Sequence, residues 1–166
     1  KIGAFAYTVT KPDDVHELAA LLRTYKINRR KAVVQVVLGT VHETLYDGIL
    51  NAAAHQGLRV TLLGFKKTGR GKDFRMIPYK WWLTNYLTAP SRPSLSVDTC
   101  IAKEYREQIL AADVPECLFT TEEGKFSMFV DAVDMRIAPS SYCDEKDYVK
   151  VKEFDEETIL GMYKDW

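Results

Sequence analysis

The chain of 166 residues carries 23 basic and 23 acidic side chains and no formal net charge, with 46% hydrophobic and 11% aromatic residues. That composition excludes a disordered tail, and the length suits one domain of ordinary size or one with a small appendage. No apolar run approaches the roughly 20 residues that span a bilayer, and three cysteines are too few for a secreted disulfide scaffold.

With no signal-peptide pattern either, a reduced, cytoplasmic setting without a membrane is expected. The zero charge is the sum of two opposed halves. Residues 1–93 hold 15 Lys or Arg and 6 Asp or Glu, and residues 94–166 hold 8 and 17. The polar stretch at 89–94 contains two prolines and reads as a linker or long turn. The chain therefore divides into a basic front, 1–93, and an acidic back, 94–166. It opens on Lys1 rather than Met, as a piece of something longer would.

The front alternates strand and helix. Residues 2–8 form a short, largely apolar run. Pro12, Asp13 and Asp14 then open a helix, because proline suits the first turn and carboxylates meet the positive end of the dipole. Val15, Leu18, Ala19 and Leu22 repeat at helical spacing and mark its buried face. Residues 32–38 are nearly continuous and β-branched, as a strand covered on both faces should be. Thr40 and Glu43 have capping-box spacing for a second helix with Val41, Leu45, Ile49 and Ala52 on its core side and Gly57 at its end. Residues 58–64 supply a third strand. The order β-α-β-α-β implies a parallel sheet with crossover helices.

The back is α+β. Asp98 or Thr99 caps a helix carrying Ile101, Tyr105 and Ile109. Residues 126–130 and 135–138 form two short strands joined at Ala132, Val133 and Asp134. Asp155, Glu156 and Glu157 open a last helix with Ile159, Met162, Tyr163 and Trp166 on one face.

The most distinctive run, at 62–72, leaves the C-terminal end of the third strand, where parallel sheets bind ligands. Its Lys66, Lys67, Arg70 and Lys72, with intervening glycines, make a candidate anion-binding loop, though not a P-loop. A solvated surface loop is the ordinary use of such residues. Cys100, Cys117 and Cys143 match no zinc spacing. They either contribute thiolates to an iron–sulfur cluster or are plain buried thiols. His16 and His55 fall on helices near solvent, and only His42 lies near the C-terminal edge of the sheet. Tyr79, Lys80, Trp81, Trp82 and Tyr86 suit base stacking or the core of a short helix. Overall neutrality disfavours nucleic acid.

Leu63-Gly64-Phe65-Lys66-Lys67-Thr68-Gly69-Arg70-Gly71 resembles the stretch after the last barrel strand of radical S-adenosylmethionine proteins. Ser96-Val97-Asp98-Thr99-Cys100 resembles the Asp-Ser/Thr-Cys segment of members with a SPASM or twitch extension. Gly124-Lys125-Phe126-Ser127 followed by Phe129-Val130-Asp131-Ala132 resembles that extension's hairpin, with Pro139-Ser140 where the pattern has Pro-Cys. The resemblance covers about residues 32–143.

It implies that 1–93 is the C-terminal half of a partial, TIM-like (β/α)6 barrel, and 94–166 a degenerate extension. It also implies an iron–sulfur oxidoreductase that cleaves S-adenosylmethionine to abstract hydrogen from a small-molecule or peptide substrate. The Cys-x-x-x-Cys-x-x-Cys loop that holds the catalytic 4Fe-4S cluster is not in this sequence, so the chain alone is expected to be inactive. By position, Gly64 and Phe65 would approach the cofactor through their backbone. Gln35 and Thr61 are strand residues that face either the barrel interior, where Gln35 would join the cofactor site, or the packed side. Cys100, Cys117 and Cys143 would form an auxiliary site short of a ligand at Ser140. An unpaired strand at 2–8 and an open barrel face would favour self-association. The competing reading is a non-catalytic α/β module that binds an anionic ligand or a partner protein through the 66–72 loop.

Overall fold

The computed structural model describes residues 3–67, 69–89, 95–124, 128–141 and 143–164. The protein is mixed α/β, with a four-stranded parallel sheet and a small three-stranded antiparallel sheet. It separates into two compact units, Lys1–Phe119 and Thr120–Trp166. The division thus falls well after the charge change at 93/94. The linker proposed there is largely at 90–94, outside the described residues, as are Lys1 and Ile2.

In the first unit, β1 (Phe5–Thr8), β2 (Ala32–Val37), β3 (Arg59–Leu63) and β4 (Ser96–Val97) lie side by side in chain order, every neighbouring pair parallel. The crossovers contain α1 (Pro12–Thr24), α2 (Thr44–His55) and α3 (Lys80–Thr88), and α4 (Thr99–Glu104) and α5 (Arg106–Ala111) follow the sheet. The sequence implied three strands here. The fourth pairs Thr61 with Ser96 and Leu62 with Val97.

Helix α1 buries Val15, Leu18, Ala19 and Leu22, the stripe its periodicity predicts. The Asp14 carboxylate accepts from the backbone N–H of Thr10 at 2.8 Å and of Lys11 at 3.2 Å. Gly57 does end α2, in the left-handed region at φ +64°. Thr40 does not cap α2, which begins later, at Thr44. Gly39 turns the chain first, and the Thr40 hydroxyl donates back to the Val37 carbonyl at 2.7 Å. The core side of α2 is Tyr46, Ile49, Leu50, Ala52 and Ala53, with Val41 and Leu45 only partly buried. The expected helix after Asp98 is broken at Tyr105 into α4 and α5.

Strand β2 is not covered on both faces. Ala32, Val34 and Val36 are buried, whereas Val33, Gln35 and Val37 are only half-buried. Strands laid down in chain order by crossovers of one hand place all their helices on one side. Accordingly, the helix core packs with Val34, Val36, Val60 and Leu62. Full burial of each such side chain contributes about 1.5–3 kcal/mol.

The second unit holds β5 (Phe129–Asp131), β6 (Arg136–Ala138) and β7 (Val149–Lys150), antiparallel, followed by α6 (Glu156–Lys164). The expected hairpin is present, its first strand shorter than the 126–130 forecast, which reaches into the undescribed 125–127. Strand β7 was not anticipated. Arg136 organises the hairpin. Its guanidinium meets Asp131 at 3.0 Å, Asp134 at 3.3 Å and Glu145 at 2.8 Å, and lies 4.2 Å over the Tyr148 ring. Among the described residues no helix is long and apolar enough to cross a membrane.

Candidate functional site

Because all four strands run the same way, the segments after Thr8, Val37, Leu63 and Val97 gather at one edge of the sheet, where ligands of parallel sheets bind. That edge is braced by a tyrosine the sequence did not single out. The Tyr46 hydroxyl accepts from the Gly39 N–H at 2.8 Å and donates to the Val41 carbonyl at 3.1 Å. The Gly39 carbonyl accepts from the Ile77 N–H at 2.9 Å, tying the segment before α3 to the loop after β2. A Cβ at Gly39 would stand 2.6 Å from the Met76 side chain, and its φ of +85° already favours glycine.

The exit of β3 is locked to β4 by Asp98. One carboxylate oxygen accepts from the Gly64 N–H at 3.1 Å, and the Lys66 ammonium lies 3.9 Å from it. The other oxygen caps α4 by accepting from the Ile101 N–H at 2.9 Å. Cys100, the second residue of α4, fills the space a side chain at Gly64 would need: a Cβ there would stand 3.1 Å from its Sγ. Gly64 is thus explained by packing, and its N–H is already donated to Asp98 rather than offered to a ligand.

The basic loop follows. Lys66 is drawn to Asp98, while Lys67 and Lys72 are exposed. The backbone of Arg70 lies in a 3₁₀ turn over Gly69–Asp73; its side chain and Thr68 lie outside the described residues. A Cβ at Gly71 would stand 2.3 Å from the Lys66 carbonyl oxygen, so the turn folds back tightly on its own start. The half-buried Phe65 packs its ring 5.5 Å from that of Phe74. Beside this edge Tyr79 is buried. Burial first, then the Glu104 carboxylate and the nearby Cys100 and Asp98, push its hydroxyl up to about 12.

On the uncovered face of the sheet, register places Thr8 beside Gln35, Gln35 beside Thr61 and Thr61 beside Ser96. Gln35 and Thr61 therefore share the side away from the helices. Thr61 and Ser96 share a hydroxyl–hydroxyl bond of 2.6 Å.

None of the three cysteines is in a disulfide: Cys100 and Cys143 are half-buried and Cys117 is exposed. Among the described residues no group of three or more His, Cys, Asp or Glu side chains gathers to hold a metal ion, so the cysteines form no such group. In the second unit the Cys143 thiol donates to the Ser140 carbonyl at 3.2 Å, and Ser140 itself is buried. With Cys100 packed on Gly64 and Cys143 turned to a carbonyl, the residues present do not fit an iron–sulfur cluster. Of the remaining sequence candidates, His42 is exposed and bonds Thr44 locally at 3.0 Å. Trp82 and Tyr86 stack in the core with ring centroids 5.3 Å apart, while Trp81 is exposed.

No family model matches the sequence, and no curated protein or solved structure matches the chain.

Proposed function

We propose that residues 3–119 are a segment of a radical S-adenosylmethionine-type barrel and that this chain supplies the substrate-facing wall of such an enzyme. The observation that carries the reading is the winding. Four parallel strands in chain order pack the helices of the first unit against one side, and the other side, with Gln35, Val37, Thr61 and Leu63, is only half-buried, as suits a barrel wall better than a doubly wound sheet. The sequence likeness around Gly64 and Asp98 falls at the C-terminal edge, where barrel enzymes place their sites.

In that family the cofactor, bound to a reduced cluster, supplies the hydrogen-abstracting chemistry. Among the described residues no ligand set fits a cluster, so the part assigned to this chain is positioning and shielding. The edge loops pinned by Tyr46 and Asp98 hold the mouth in shape, and the bare face presents Gln35 and Thr61 inward.

The test uses the product of the complete reading frame, purified anaerobically, reconstituted with iron and sulfide, then reduced in the presence of S-adenosylmethionine. Release of 5′-deoxyadenosine is expected from that protein and not from residues 1–166 alone. Failure of the complete product both to assemble a cluster and to release 5′-deoxyadenosine overturns the reading.

A further inference from the structure

The bare face of the parallel sheet is banded. Toward the C-terminal edge Val37 pairs with Leu63, and toward the other end Ala6 pairs with Val33 and Val33 with Arg59, whose guanidinium donates to the Arg30 carbonyl ahead of β2. Between these rows runs the uncharged polar row Thr8, Gln35, Thr61 and Ser96, one residue from each strand. Neighbouring strands lie about 4.8 Å apart, so the row crosses the whole sheet at one level.

Two members of the row satisfy each other, since the Thr61 and Ser96 hydroxyls are 2.6 Å apart and Ser96 also reaches the Val60 carbonyl at 3.3 Å. Gln35, on an inner strand and half-buried, has a carboxamide with no hydrogen-bond partner among the described residues. A dry packing layer laid over this face would bury that carboxamide unpaired, which is costly. Whatever covers the face therefore carries hydrogen-bonding groups at the level of the row and apolar groups toward the mouth.

Charge narrows the class further. The row and the apolar row above it hold no ionised group; Lys66, beyond them at the exit of β3, is drawn to Asp98, and Arg59, in the row below, reaches the opposite way to the Arg30 carbonyl. An ionised ligand group at the row would lose hydration and gain no counter-charge within the row, since Arg59 is directed away from it. A carboxamide, by contrast, matches the donor and acceptor of glutamine side by side.

We infer that the row centred on Gln35 is a binding site for the carboxamide end of an uncharged substrate whose apolar part lies against Val37 and Leu63. Its place in a substrate chamber rests on the barrel reading above, whereas the row itself rests on strand register. Gln35 is the anchoring residue, and Thr8 and Thr61 flank it.

The experiment is a nuclear magnetic resonance titration of the ¹⁵N-labelled 166-residue chain with N-acetyl-L-leucinamide, and with N-acetyl-L-leucine as its carboxylate counterpart. The amide should cause saturable shifts at the Gln35 side-chain NH₂ and at the Thr8 and Thr61 amides, with affinity about tenfold above the carboxylate. Gln35→Leu should lose the response with the remaining spectrum unchanged. Gln35→Glu, nearly the same shape, should lose it too, because it removes the donor. Absent or unsaturable shifts, equal binding of the two probes, or an unaltered response in Gln35→Leu overturns the site. Amide binding without 5′-deoxyadenosine from the complete gene product leaves the site standing and removes the radical reading; the reverse pattern removes the site alone.

Discussion

Replacing Asp98 by alanine tests whether one carboxylate holds β4 and α4 onto β3. The side chain is 14% exposed and serves three partners. Loss of the cap on α4 costs about 1 kcal/mol. Leaving the partly buried Gly64 N–H unpaired costs about 1–3 kcal/mol. The Lys66 contact is long and half-exposed and adds about 0–1 kcal/mol. Asp98→Ala should therefore destabilise the first unit by about 2–5 kcal/mol, a fall of about 1–2.5 M in the urea midpoint at a slope of about 2 kcal/mol/M. Asp98→Asn is the informative partner. Its amide has one acceptor oxygen, so it retains either the cap or the Gly64 bond, and it should fall between wild type and alanine. Urea unfolding followed through the buried Trp82 reads the midpoint, and hydrogen exchange at the Gly64 and Ile101 amides reports which bond was lost. A loss below about 0.5 kcal/mol for Asp98→Ala, or an asparagine variant as unstable as alanine, would refute the assignment.

Two further outcomes follow from the same edge. Gly64→Ala drives a Cβ to 3.1 Å from the Cys100 Sγ and 3.2 Å from its Cβ, which should cost about 1–3 kcal/mol. Adding Cys100→Ala removes the sulfur but not the Cβ, so a double-mutant cycle should recover part of that loss; strictly additive effects would show that the two residues do not collide. For Tyr79, the folded chain holds its hydroxyl at about 12 against an ordinary 10.0, so the unfolded chain gives up the proton first. This contribution is complete below pH 10 and fades as pH rises through 12, on the order of 2–3 kcal/mol in all. Urea unfolding over that window should lose less stability in Tyr79→Phe than in wild type, and equal slopes would dismiss the effect.

Local signals in the sequence translated directly into structure. The α1 stripe, the Gly57 terminus and the Asp155 start of α6, where its carboxylate accepts from Thr158 N–H at 2.7 Å, each depend on residues a few positions apart. Strands β4 and β7 have two residues each, and such segments exist only through partners far along the chain. The Tyr46 brace was hidden for a related reason, since a tyrosine on the buried side of a helix reads as core until its hydroxyl is seen to reach Gly39. Strand β2 misled in another way. Its near-continuous apolar run suggests two covered faces, yet Val33 and Val37 are only half-buried, so apolar side chains here do not by themselves report a second packed layer.

The basic loop, which dominates the sequence, offers a less fixed arrangement of side chains than the quiet residues on β2 and β3. Lys66 is drawn into the Asp98 anchor, and Gly71 is there because the turn touches its own backbone, so part of the motif is explained by how the β3 exit is built. Lys67 and Lys72 project into water, where salt screens their pull on an anion and nothing orients them. Gln35 differs on both counts. It is fixed on an inner strand by pairing on either side, and its carboxamide makes no hydrogen bond among the described residues. A rigid scaffold carrying a polar group without a protein partner is what selective recognition needs, since ordering a mobile lysine costs free energy that a preset amide has already spent.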